Sequence, residues 1–218
     1  DVADLAVGEM LQVEFATWSV DVGSYEIEIC TDLVGDEIPG DDCQSKVIAF
    51  SDQPRQKVVA EFFTGTWWGF CPLAELGLHE LQQDYPESLA IIAWHNGDEF
   101  EFPQGMVRDG WYGIAGYPTV WFDGYADVVG GYQPSSYPYY LPVMEERVPW
   151  PSNFEVFLEI TPTEGTDYNV FTKIEIKNGN STENLAGFVV LTETDIPSPG
   201  NENQFWVARN VWPDAMGL

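Results

Sequence analysis

The chain is poor in positive charge: of 218 residues only eight are Lys or Arg, against 36 acids, for a net charge of −28. A field of that sign repels phosphate backbones, and no basic stripe exists to release counterions, so nucleic-acid and anionic-membrane binding are excluded. Long hydrophobic runs are missing too. The longest, such as Leu89 to Trp94, fall far short of the ~20 residues that span a bilayer, so no membrane span is expected. Histidine is scarce, with His79 and His95 alone, and neither has a second His or Cys at ligand spacing, which leaves a histidine metal site without support. There is no Gly-Lys-Ser phosphate loop and no Gly-x-Ser-x-Gly nucleophile elbow.

What is present suffices to fold. Apolar residues make up 44% and aromatics 15% of the chain, enough for a true core. The chain begins at Asp1 with no basic-then-apolar leader and ends in Met216-Gly217-Leu218 without a closing element, and it reads as part of something longer.

Three cysteines, Cys30, Cys43 and Cys71, leave at least one unpaired. Cys30 ends the alternating run from Tyr25, and Cys43 opens the next, Gln44 to Phe50. If the two runs are antiparallel neighbours, the cysteines face each other, either as a disulfide, which belongs to an oxidising compartment, or as two thiols.

Three zones follow one another. Residues 1 to about 52 read as strands, including an alternating run Leu11 to Trp18. Residues 53 to about 150 alternate strand and helix signals. Lys57 to Phe63 is a buried-strand run; Ala74, Leu78, Leu81 and Tyr85 recur at helical steps between Pro72 and Pro86; and Leu89 to Trp94 is a second buried strand, which makes a βαβ unit with a parallel pair. From about 152 the pattern reverts to strands: Phe154 to Ile160, Tyr168 to Ile176, Ala186 to Thr192 and Phe205 to Val211.

The segment Val59-Ala60-Glu61-Phe62-Phe63-Thr64-Gly65-Thr66-Trp67-Trp68-Gly69-Phe70-Cys71-Pro72 resembles the strand, active-site turn and helix start of a thioredoxin-like domain, whose turn reads Trp-Cys-x-x-Cys. Gly116-Tyr117-Pro118-Thr119-Val120-Trp121-Phe122 is similar to that family's cis-proline loop, in the family's order and separation. The resemblance implies an α/β thioredoxin-like domain over 53–150, a mixed central sheet with helices on both faces. Residues 1–52 resemble a partial immunoglobulin-like β segment, and 151–218 a β-rich C-terminal segment, so the flanks are expected to be sandwich-like. It also implies a secreted or cell-surface multidomain protein.

Two departures decide the expected chemistry. The family's nucleophilic cysteine is replaced by Trp68, and an indole cannot attack a disulfide. The buried acid that helps move the resolving thiol's proton would stand at Phe62; Glu61 is adjacent, but strand alternation sends it to the opposite face. Only Cys71 remains, at the resolving position, a weak catalytic candidate. The turn residues Trp67, Trp68 and Phe70 are expected beside Tyr117 and Pro118, as a binding surface for an extended peptide, a protein or a glycan, or as a plug in a vacated site. A thiol-disulfide oxidoreductase using Cys71 alone is the alternative.

No cofactor is expected. The acidic loop Asp36-Glu37-Ile38-Pro39-Gly40-Asp41-Asp42 offers oxygens to Ca²⁺ but lacks the spacing of a helix–loop–helix calcium site, and a solvated turn explains it better. His79 reads as a surface helix position, His95-Asn96-Gly97-Asp98 invites a metal or acid–base reading without a second ligand, and Asn180-Ser181-Thr182 is a formal glycosylation acceptor.

Overall fold

The structure, a computed structural model, describes residues 11, 13–31, 42–165, 167–177, 186–198 and 202–214. The acidic stretch 36–41, the sequon 180–182 and the terminal 216–218 lie outside the described residues.

Strands β3 (Val58–Thr64) and β4 (Leu89–His95) pair in parallel, joined by helix α1 (Cys71–Asp84). Both strands are almost continuous apolar runs, the pattern of central parallel strands, which are ordinarily covered on two faces. After α2 (Pro103–Tyr112) come β5 (Thr119–Phe122), antiparallel to β3, and β6 (Ala126–Val129), antiparallel to β5. Helix α3 (Tyr137–Arg147) then crosses back beside α1. This order, with helices on both faces of the sheet, is consistent with a thioredoxin-like fold.

The two faces bury different sets. Val58, Ala60, Phe62, Leu89, Ile91, Ala93, Val120 and Phe122 pack with Ala74, Leu78 and Leu81 of α1 and with Tyr140 and Met144 of α3. Phe63 and Trp94 pack on the other face, with Phe102 and Tyr112 against them. Helix α1 starts at a Pro-containing first turn and stops before Pro86, as the prolines require. Its Gly77 is dictated by contact: a Cβ there would lie 2.6 Å from the backbone nitrogen of Tyr137, so α3 docks only because the side chain is absent.

The C-terminal zone does not stand apart from this sheet. Strand β10 (Val207–Trp212) pairs in parallel with β4, and β9 (Val189–Glu193) pairs antiparallel with β10, giving the order β6-β5-β3-β4-β10-β9. Strands β9 and β10, beyond residue 150, thus belong to the same sheet as β3 to β6.

Among the described residues, the sandwich-like flanks reduce to two hairpins, β1 (Gly23–Cys30) with β2 (Cys43–Phe50), and β7 (Phe154–Pro162) with β8 (Tyr168–Ile176). In the second, Val156, Leu158 and Ile160 share one face with Ile174 and Val170, while Glu155, Glu175 and Lys173 lie on the other. The run Leu11 to Trp18 is not a strand in its described residues: despite its alternation it has no partner in any sheet, although Trp18 packs edge-on against Tyr25 and Phe50. Cys30 and Cys43 are register partners and are joined by a disulfide; Cys71 is free.

Candidate functional site

The turn between β3 and α1 is Gly65-Thr66-Trp67-Trp68-Gly69-Phe70. It closes on itself through Trp68 N–H to Gly65 O (3.3 Å) and Cys71 N–H to Trp68 O (3.0 Å). A second loop, after β4, holds it from behind. Thr66 N–H donates to Asp98 Oδ2 (2.8 Å), and the same carboxylate pairs with His95 Nδ1 (2.7 Å) and accepts from Phe100 N–H (2.9 Å). Burial alone would raise the Asp98 carboxyl, but the hydrogen bond and charge of His95 and the two backbone N–H groups outweigh it and hold the carboxyl below its ordinary range. The His95–Asp98 sequence signal thus has a structural occupation, anchoring the turn.

Trp67 is tied by its Nε1–H to Asn96 O (2.7 Å) and meets Tyr117 edge-on at 5.8 Å between ring centroids. Tyr117 precedes Pro118 through a cis peptide bond, and its hydroxyl donates to Asp109, which also accepts from Asn96 Nδ2 (2.8 Å). Burial, followed by that hydrogen bond and the Asp109 charge, holds the Tyr117 phenol well above its ordinary pKa. The rings continue outward, Trp67 to Trp68 at 6.2 Å and Trp68 to Phe70 at 5.7 Å. Trp67, Trp68 and Phe70 are 52%, 44% and 47% exposed, so these contacts form one open aromatic surface. Pro118 itself is buried beneath it. Flanking backbone is engaged: Thr119 Oγ1 donates to Gly116 O, and Gly130 N–H donates to Pro118 O (2.7 Å).

Cys71 opens α1 but is only 4% exposed. Burial pushes its thiol up, and the carboxylates of Asp98 and Glu75 add to this, outweighing hydrogen bonds from Thr64 and Gly65 that favour the thiolate. A helix N-terminus would favour a thiolate; desolvation wins here. Phe62 lies on the same face as Cys71, in the α1 core, and Glu61 on the other, where it accepts from Trp94 Nε1 (2.8 Å), Arg108 Nη2 (2.5 Å) and Tyr112 OH (2.6 Å). The acid next to the family's relay position is thus spent in a structural network. His79 is half-buried rather than on the surface, its ring 4.4 Å from those of Phe205 and Trp206, because the C-terminal segment crosses α1 there.

The structure brings together all five residues expected at the surface, Trp67, Trp68, Phe70, Tyr117 and Pro118. Sequence reading missed Asp109 and Asn96 as the supports of Tyr117 and Trp67, and also Gly131. A Cβ on Gly131 would lie 2.0 Å from Phe70 O, so the 130–132 segment seats directly against the turn. Asp109 carries no local signal; the glycine pair at 130–131 was the one available hint.

No protein-family profile matches the chain, and no curated protein matches it. Among solved structures, HBP35 of Porphyromonas gingivalis is similar in fold (TM-score 0.59, 15% identity), the match covering 77% of this chain and 60% of that one. A protein of Agrobacterium tumefaciens is similar with a TM-score of 0.53 and 20% identity, over 73% of this chain and 72% of that one. At these identities the likeness concerns the fold alone. Among the described residues, no helix is long and apolar enough to cross a membrane.

Proposed function

We propose that this chain carries a thioredoxin-like domain that has left dithiol chemistry and serves as a binding module of an exported multidomain protein, its aromatic turn taking an extended peptide. The observation that carries this is the exposure of Trp67, Trp68 and Phe70 as one connected surface while the remaining thiol beneath is buried and disfavoured as thiolate. Large rigid rings give contact area at low entropic cost, and Trp67 and Tyr117 are already fixed by hydrogen bonds, so little ordering remains to oppose binding. The backbone at Tyr117 lies alongside the rings and suits strand addition, with alternate peptide side chains falling on the aromatic surface. The Cys30–Cys43 disulfide supports an oxidising, extracellular or periplasmic setting.

The test is a library of extended peptides read by tryptophan fluorescence, followed by titration of the best binder. Trp68→Ala is expected to weaken it by about tenfold or more, as loss of a central aromatic anchor does. No peptide binding, or binding indifferent to both Trp68→Ala and Phe70→Ala, would refute the reading.

A further inference from the structure

Among the described residues, the face of the sheet opposite α1 and α3 is only partly roofed. Helix α2 covers the Trp94 end, and beyond it lies a cleft of about 1210 Å³ whose floor is Val59, Ala90, Ile92 and Val190. Val59, Ala90 and Ile92 stand on the central parallel pair β3 and β4, where both faces are ordinarily covered, and Val190 stands on the edge strand β9, yet all four are only half-buried. A strip of aliphatic sheet this central is a place for an apolar body.

The walls add charge of the rarer sign. Three of the chain's eight cations, Arg55, Arg108 and Arg147, line this one cleft, and among the described residues they meet only two carboxylates there, Glu61 and Asp123. Arg108 is matched by Glu61. Arg55 and Arg147 share the single carboxylate of Asp123, at 2.8 and 3.1 Å to the same Oδ2, while Asp123 Oδ1 accepts Val59 N–H. Among the described residues the pair therefore holds one positive charge more than its counter-ion neutralises, in a protein of net charge −28. Arg147 is 6% exposed, and its Nη1 is buried with no hydrogen-bond partner among the described residues. Its guanidinium is stacked 4.5 Å from the ring centroids of Tyr125 and Trp150, which fixes its plane. Arg55 is the member reached from the cleft, its side chain 16% exposed.

We propose that this cleft is a binding site for an amphipathic monocarboxylate, with its head on the Arg55–Arg147 pair and its apolar body along the uncovered sheet. One surplus charge matches a monoanion, and a guanidinium presents N–H donors in the planar arrangement a carboxylate accepts. The cleft is larger than the ~300–1,000 Å³ usual for small-ligand sites, so an acyl chain fits without rearrangement of the floor. The site is separate from the aromatic turn at the start of α1, none of whose residues lines the cleft.

The probe is dodecanoate below its micellar concentration, titrated calorimetrically into the whole chain beside dodecan-1-ol, which has the same tail without the charge. Dodecanoate is expected to bind about tenfold or more tightly than the alcohol. Arg55→Gln should abolish that preference, Ala90→Phe should weaken both ligands, and Trp68→Ala should change neither. Circular dichroism of each variant verifies the fold. Equal binding of acid and alcohol, no binding of either, or dodecanoate affinity unmoved by both Arg55→Gln and Ala90→Phe would overturn the proposal. So would a dimer in sedimentation that Ala90→Phe dissociates, which would assign the cleft to a second copy of the chain.

Discussion

Replacing Arg108 by Met tests the reading that Glu61 is a structural acid. Both partners are sealed, with side chains 2% and 8% exposed, and the guanidinium reaches Glu61 through Nη2 at 2.5 Å and Nε at 3.2 Å. Removing one member of a buried pair costs about 3–5 kcal/mol, because the other charge stays buried without its partner. Glu61 would keep Trp94 Nε1–H at 2.8 Å and Tyr112 OH at 2.6 Å, which places the cost at the low end, near ~3 kcal/mol. The methionine retains an apolar stem between Trp111 and Phe188, whose ring centroids lie 4.1 and 4.7 Å from the guanidinium carbon, so cavity terms stay small. Against a total stability of about 5–15 kcal/mol this is a large fraction. Urea unfolding followed by far-UV circular dichroism reads it: with a slope of ~2 kcal/mol/M the midpoint falls by about 1.5 M. Adding Glu61→Gln removes the stranded charge and should restore part of the loss. A cost below ~1 kcal/mol for Arg108→Met, or a double variant no more stable than the single, refutes the reasoning.

Four further outcomes follow from the geometry. Alkylation of the unfolded chain should find one thiol without reduction and three with it. The native wild type should show no insulin-reducing activity, whereas Trp68→Cys should acquire some; activity in the wild type would defeat the non-catalytic reading. Burial, with Glu202 nearby, raises the Glu75 carboxyl from 4.5 to about 7, against a weaker opposing hydrogen bond from Phe205 N–H. The folded state therefore binds more protons than the unfolded one between those values, and stability falls as pH rises from about 4.5 to 7, by at most ~3 kcal/mol. Glu75→Gln should flatten that slope, and an unchanged slope would refute the assignment. Gly131→Ala places a Cβ 2.0 Å from Phe70 O, so it should both destabilise the chain and alter Trp fluorescence from the turn; a neutral effect would show that the 130–132 segment is not seated there.

Where local pattern and tertiary demand coincide, the sequence was readable. Ala74, Leu78 and Leu81 define the buried stripe of α1, the prolines bound it, and the two unbroken apolar runs became the parallel pair β3 and β4. Tyr168–Ile176 is a strand over the residues expected. Periodicity states only that a segment can form a strand; pairing decides whether it does. Leu11 to Trp18 alternates, and its described residues stay outside every sheet, while β10, an unremarkable run, joins the central sheet beside β4 through the register Val207↔Ala93, over a hundred residues apart. The site divides in the same way. Its rings were legible because two motifs place them, but Asp109, which holds Tyr117 and Asn96 together, sits on α2 with nothing in its neighbours to mark it.

Whether Trp68 plugs a vacated site or faces a ligand can be argued from where the chain buries its surface. A plug is expected to be covered, since filling a void is what an indole in that role contributes. Trp68 is instead 44% exposed, while Cys71 is 4% exposed with hydrogen bonds from Thr64 and Gly65. The chain also invests order here: Thr66 is pinned by Asp98, Trp67 by Asn96 and Tyr117 by Asp109. Rigidity around open apolar rings adds little to the stability of the free molecule, because the rings still meet water. It does lower the entropy lost when something covers them. That balance favours a recognition surface over an inert remnant, and it gives the peptide titration a sharper form. Trp68→Ala should weaken binding while leaving the urea midpoint almost unmoved, whereas a plug would show the reverse, a clear loss of stability with no change in any ligand.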